Sequence, residues 1–203
     1  MSRIVAQKAP NLPIAPTVYD QRFMEQFSNV LRLYFNAGDN AMGALLGTTG
    51  GDYLRASYGS FYSAATQTAA AINTAYPVTF DTVGIVNGVS HGVVTSQIKP
   101  PSAGVYNVQF SGNAHTTAGT GNLFFWLRVN ATNVAATGGK VATSTSDIVV
   151  SRNYIYEFAA GDYFEIVWSA SATTVEFLAV ATSAPVPAVP SVTLIVTRIS
   201  GPS

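Results

Sequence analysis

The feature that most constrains this chain is a change in the period of its apolar residues near position 59. Ahead of it, Tyr19, Phe23, Phe27, Val30 and Tyr34 recur at steps of four and three, with Met24, Leu31 and Phe35 widening the stripe. Arg22, Glu25, Gln26, Asn29, Arg32 and Asn36 take the opposite face. That pattern predicts an amphipathic helix from Val18 to about Phe35, with Thr17 as N-cap, Asp20 three residues on, and Gly38 as the stop. About 18 residues give about 27 Å of helix, which is marginal in water unless its apolar face packs on something. Tyr19, Phe23, Phe27, Val30, Leu31 and Tyr34 are therefore its packing face. The head of the same chain, symmetry mates in a bundle, or another protein are the candidate surfaces.

From about Gly59 the period is two. Strand-like runs recur at 61–68, 78–83, 89–98, 105–111, 123–129, 147–158, 163–168, 174–181 and 192–199, separated by Gly- and Pro-containing turns. Short strands with such punctuation and no further helix predict an all-β sandwich or barrel. Some strands alternate: Tyr106, Val108 and Phe110 point one way, Asn107, Gln109 and Ser111 the other. The run Leu123-Phe124-Phe125-Trp126-Leu127 is apolar on both faces, which is expected of a strand covered by its own core and by a neighbouring subunit.

Length sets the domain plan. The 203 residues suffice for one domain and an appendage. Residues 1–36 read as an N-terminal arm and an anchoring or trimerising helix, 37–58 as a Gly/Ala/Ser/Thr-rich linker, and 59–203 as the head. In the arm, Pro10, Pro13 and Pro16 favour an extended course, and Arg3 and Lys8 add positive charge. Within the linker, Ala41–Leu46 reads as one helical turn and Gly47–Gly51 as a hinge. No Lys-Ser/Thr follows that hinge, so it is no phosphate loop.

Charge then narrows the partners. Only 10% of residues are charged, against about 25% in an ordinary soluble domain, so much of the surface is expected to be covered in an assembly. Ten basic and ten acidic residues cancel, which argues against nucleic acid as a partner. There is no cysteine, hence no disulfide or thiolate metal site. The first ten residues lack an apolar signal core, and no run approaches the roughly 18 apolar residues of a membrane span. Synthesis in a cytoplasm, with no signal peptide and no membrane partner, is the expectation.

Chemistry-bearing residues are sparse. His91 and His115, 24 positions apart, have no metal-site spacing and read as strand or turn polar residues. Ser111–His115 reads as a strand running into a loop, without a nucleophile elbow. Asp162 and Glu165 fall on opposite faces of one strand start, and Glu157 and Glu176 read as solvated strand-edge residues. Asn130-Ala131-Thr132 is a glycosylation tripeptide with no secretory route to use it. Phe124, Trp126, Tyr154, Tyr156 and Trp168 could form a sugar platform, but packing in the core or between subunits is the stronger reading. No catalytic residue, metal site or cofactor is expected.

The order of several segments resembles the jelly roll shared by the complement globular head and the tumour necrosis factor ligands. Pro77–Val83 is similar to that family's early strand, and Ala103–Phe110 to its Pro-Gly-x-Tyr-x-Phe strand. Phe125–Asn130 resembles the strand before its Asn-Gly turn, with Ala131 in place of the glycine. Ala160–Ile166 is similar to its Lys-Gly-Asp turn and following strand, and Ser191–Ile199 to the closing strand. The likeness spans about Gly59 to Ile199. It implies a mainly β jelly-roll sandwich and a homotrimer, with Tyr106, Phe110, Phe125, Trp126 and Trp168 as trimer-interface or core aromatics. There is no collagen-like stalk. Instead, Leu12–Pro16 running into Tyr19–Asn36 resembles the leader helices of small tailed-phage virion proteins.

Together these readings lead to an expected function: a non-enzymatic virion protein of capsid decoration or cement type. Residues 1–36 would hold the major capsid protein or another virion protein. The alternative is a tail or head fibre whose jelly roll binds a host-surface glycan or receptor.

Overall fold

In a computed structural model, which describes residues 9–14, 16–46 and 56–202, the 3.6-residue stripe forms one helix, α1, over Gln21–Leu46. It begins and ends later than the sequence pattern predicts. Asp20, rather than Thr17, is the N-cap: its Oδ1 accepts the Arg22 N–H at 2.9 Å, and its carbonyl accepts the Met24 N–H at 3.2 Å. Gly38 does not stop the helix. An interior glycine costs only about 1 kcal/mol, and Ala37, Ala41, Met42, Ala44 and Leu45 around it are strong helix formers. Residues 37–46, expected as linker with one helical turn at Ala41–Leu46, are therefore helix throughout.

None of the helix residues 21–43 is buried; Phe23, Phe27, Val30, Leu31, Tyr34, Gly38 and Ala41 are half-buried. Phe23 and Phe27 stack with ring centroids 6.1 Å apart. Tyr19 precedes the helix and is exposed. Residues 9–14 and 16–20 form neither helix nor strand, with Pro10 and Pro13 half-buried and Pro16 exposed. Arg3, Lys8 and the Gly47–Gly51 hinge lie outside the described residues. No helix among the described residues is long and apolar enough to cross a membrane.

The chain divides into two compact units, 1–55 and 56–203. The second opens with β1 (Tyr58–Ser63), β2 (Gln67–Thr68), β3 (Tyr76–Pro77), β4 (Thr82–Asn87), β5 (Ser90–His91) and β6 (Ile98–Lys99). The long strands follow: β7 (Gly104–Thr116), β8 (Gly121–Val129), β9 (Thr132–Asn133), β10 (Gly139–Thr143), β11 (Ile148–Phe158), β12 (Phe164–Ala170), β13 (Val175–Phe177) and β14 (Val192–Ser200).

The named strands pair antiparallel, in two sheets, with one isolated parallel bridge between Tyr58 and Gly88. In the first, β7 lies between β11 on one side and β14 on the other, with β1 and β4 beyond β14. β13 continues the β14 edge of β7 and carries β2. In the second, β8 lies between β10 and β12, and β12 takes β3 and β6 on its far edge. The chain crosses between sheets from β7 to β8, β10 to β11, β11 to β12 and β12 to β13, which makes a jelly-roll sandwich. The mainly β jelly roll with a preceding arm and helix is the expected fold class.

The core lies between the sheets. Tyr106, Val108 and Phe110 of β7, Phe158 of β11 and Leu194 of β14 meet Phe125 and Leu127 of β8 and Phe164, Ile166 and Trp168 of β12. Ring pairs cross the interface, Phe110 with Phe125 at 5.7 Å and Phe158 with Phe164 at 5.0 Å. Four expected strands are shorter than predicted or interrupted: 61–68 breaks at 64–66, and of 78–83 only Thr82 and Val83 lie in a strand. Of 89–98 only its ends lie in strands, and of 174–181 only Val175–Phe177 does, with an isolated bridge from Val180 to Val189.

Candidate functional site: an aromatic groove on the second sheet

The outward side of the second sheet departs from the polar surface usual for an antiparallel sandwich. Leu123, Phe125 and Leu127 of β8 enter the core, so Phe124 and Trp126 alternate to the outside, half-exposed. The β12 register sets Ser169 opposite Phe124, Val167 opposite Trp126 and Glu165 opposite Arg128. Val167 lies between core-facing Ile166 and Trp168, yet is itself fully buried on the outward side. On the other edge of β8, Lys140 of β10 pairs with Phe124.

These strands and the loop at Asn73 bound a groove of about 580 Å³ lined by Asn73, Phe124, Trp126, Asn133, Lys140 and Ser169. The indole Nε1–H of Trp126 donates to Asn133 Oδ1 at 2.7 Å, which fixes the ring. Lys140 Nζ stands 5.7 Å from the Phe124 ring centroid. The Asn73 loop is held by its backbone N–H donating to the Ala170 carbonyl at 2.8 Å. Gly138 leaves the β10 side open, since a Cβ there would meet nothing within 4 Å, whereas Gly139 admits the core ring of Phe125, which a Cβ would meet at 2.6 Å.

Beside the groove sits a buried polar cluster. Arg128 Nη2 lies 2.7 Å from Glu165 Oε2, and the Ser96 hydroxyl donates to Glu165 Oε1 at 2.8 Å. Below it, the β8–β9 hairpin turns at Asn130 and Ala131 with φ of 46° and 63°. Two positive φ values are the mark of a type I′ turn, and Ala131 occupies a position that favours glycine. The Asn130 side chain ties this turn to the next: its Nδ2 donates to Asp162 Oδ1 at 2.6 Å and its Oδ1 accepts the Tyr163 N–H at 3.1 Å.

The outward side of the first sheet differs in character. Asn107, Gln109 and Ser111 of β7, Asn153 of β11 and Thr193 and Thr197 of β14 form a polar ground. Exposed Val149, Ile155, Ile195 and Ile85 are scattered across it. At one end, His115 Nδ1 and Glu176 Oε1 pair at 3.0 Å.

Two titrating groups stand out in the head. Partial burial pushes the Asp81 carboxyl up. Hydrogen bonds from the Thr82 hydroxyl, the Ala64 N–H, the Ser63 hydroxyl and the Ala65 N–H outweigh this and hold it below the usual carboxylate value. Burial pushes the Tyr154 phenol up to about 12, against a lowering by Arg152.

The residues singled out in the sequence fall as follows. Tyr106, Phe110, Phe125 and Trp168 are core, whereas Trp126 faces outward in the groove. Of the five aromatics considered as a sugar platform, only Phe124 and Trp126 share a surface. Tyr154 and Trp168 are core, and Tyr156 packs partly buried against it. Glu176 is not a solvated edge residue, because β13 brings it against His115. Glu157 is exposed opposite Val105, as expected of an edge residue, ten residues along β7 from His115, so the two acids stand about 33 Å apart at the backbone. Ser111–His115 is continuous strand. His91 Nδ1 lies 2.9 Å from the Gly92 carbonyl oxygen, and its ring packs 6.0 Å from that of Phe61. Among the described residues no three His, Asp or Glu side chains cluster as a metal site would require. Asn73, Asn133, Lys140 and Ser169 were not singled out. The two-sided apolar run 123–127 was the signal that a site lay there.

No family model matches the sequence, and no curated protein matches it. Among solved structures, crystal structures of murine APRIL at pH 5.0 and pH 8.5 are similar at 7% identity, and one at pH 8.0 at 10%. Each has a TM-score of 0.48 and covers 71% of this chain and 100% of its own. The assignment of the fold rests on the strand pairing above.

Proposed function

We propose that this chain is a non-enzymatic structural protein of a tailed-phage virion, a capsid decoration or cement protein that assembles as a homotrimer. The N-terminal segment grips the major capsid protein or another virion protein, and the jelly-roll head projects from the particle. The observation that carries this reading is α1: 26 residues of helix whose aromatic stripe includes no buried position among residues 21–43. A helix of that kind is stabilised by a partner rather than by itself. The low charge and the isoleucines on the first sheet's outward side add support, since both suit a surface that other subunits cover. Three arms per trimer would turn individually weak contacts into a durable grip.

The test compares the full chain with residues 56–203, which carry their own core. In light scattering the full chain is expected near 64 kDa, three times 21.3 kDa. The truncated head is expected to stay folded and to lose binding to capsids lacking this protein. Full occupancy by the truncated head would remove the anchoring role. The alternative is a tail or head fibre whose jelly roll binds a host-surface glycan, and the outward groove favours it. Counting copies on intact particles separates the two: many spread over the shell for decoration, few at one vertex for a fibre.

A further inference from the structure

We propose that the groove on the second sheet binds a saccharide that carries a carboxylate. On β8, Phe124 and Trp126 occupy outward positions two apart, about 7 Å at the backbone, and both side chains line the groove. Aromatic faces at that spacing suit the C–H faces of consecutive sugar rings. Trp126 is held for this by its bond to Asn133.

Around the rings stand polar groups that the chain itself leaves uncommitted. Asn133 gives its Oδ1 to Trp126, which leaves its amide N–H donors free. The Asn73 carboxamide and the Ser169 hydroxyl have no partner among the described residues. Donors and acceptors set beside aromatic rings are what a hydroxyl-rich, partly apolar ligand requires. The volume, about 580 Å³, falls within the roughly 300–1,000 Å³ of ligand pockets.

Charge chooses within the class. Arg128 is neutralised by Glu165, and no acidic residue lines the groove. Lys140 is left as the single cation of the lining, without an ion-pair partner among the described residues. One uncompensated ammonium fits one carboxylate per ligand. A strand-forming peptide is a poor fit, because β8 already pairs with β10 on one edge and β12 on the other. Nucleic acid would ask for several cations.

The groove can be tested without regard to where the protein sits on a particle, so its failure and that of the assembly reading are separate results. The chain has two tryptophans, and Trp168 is buried in the core, so a change in emission on ligand addition reports Trp126. Full-length protein is titrated with uronic-acid oligosaccharides from hyaluronan and alginate, and with the same chains after reduction of their carboxyls. A saturable change with an acidic chain is expected, with the reduced chain at least about tenfold weaker. Lys140→Gln is expected to erase that difference. Trp126→Phe is expected to abolish the signal while calorimetric binding persists weakened. Gly138→Trp, whose side chain fills the open rim without meeting the core, is expected to block binding with the melting temperature unchanged. Equal affinity for acidic and reduced chains, unchanged binding by Gly138→Trp, or a Trp126 shielded from acrylamide by a neighbouring copy each overturns the proposal. So does an absence of saturation with every chain.

Discussion

Phe27 in α1 and Phe110 in β7 are the same side chain in two situations. Phe110 is 1% exposed, with the rings of Phe125 and Phe177 at 5.7 and 5.8 Å. Phe27 is half-buried, with Phe23 at 6.1 Å as its ring neighbour. One belongs to a core that two sheets of the same chain close around it. The other belongs to a stripe that its own helix cannot cover. The head therefore holds its stability internally, whereas the value of the helix's apolar face depends on what it meets.

The largest expected effect tests that difference directly. Phe110→Ala is expected to cost about 3–5 kcal/mol of head stability in urea melts, because two packed rings lose a partner and the cavity cannot collapse. Phe27→Ala should move the head's transition by no more than about 0.5 kcal/mol. A comparable loss from Phe27→Ala would break the comparison by making the helix part of the head's core. Phe27→Asp is next. It should leave the head's melt in place while weakening self-association about 100-fold in sedimentation, as expected for about 3 kcal/mol of lost aromatic burial.

Two smaller effects lie wholly inside the head. The Tyr154 hydroxyl is buried without a hydrogen-bond partner among the described residues. Tyr154→Phe should raise stability by about 1 kcal/mol at neutral pH. The folded pKa of about 12 lies above the ordinary 10.0, so the folded state holds this proton longer than the unfolded chain does. That contribution is complete below the unfolded value and is lost as pH rises through the folded one. Stability measured between about pH 10 and 12 should thus fall less steeply in Tyr154→Phe than in the parent. The smallest effect is at the I′ turn, where Ala131→Gly relieves a left-handed alanine and should gain about 0.5–1 kcal/mol in the same melts.

The sequence revealed the head's strands where periodicity was clean. Tyr106–Phe110 and Val192–Ile199 alternate; the second ends within one residue of its expected bounds, while the first runs on five residues past its expected end, to Thr116. It was misleading where a local signal competed with a sum over many residues. Gly38 looked like a stop because glycine commonly follows a helix, but the alanines beyond it outweigh one unfavourable position. The stretch 89–98 looked like a strand because its valines favour one, yet partner edges are set by chain crossings that no local pattern encodes. The groove was half legible. Two-sided apolarity at 123–127 marked the place, while Asn73, Lys140 and Ser169 come from three distant segments that only the sheet register unites.

β14 lies between β7 and β1 in the first sheet, so the last of the fourteen strands in chain order occupies a central place rather than an edge. Until residue 200 has emerged, β1 and β7 have no surface in common, and the core rings of β7 have no finished wall beside them. The head is accordingly built in one late step from contacts far apart in sequence, a slow route that leaves sticky strand edges open during synthesis. An early stop codon or a ribosomal stall before β14 would yield an aggregating fragment and no smaller working version of the head. Only chains whose translation had reached β14 would then hold a closed head.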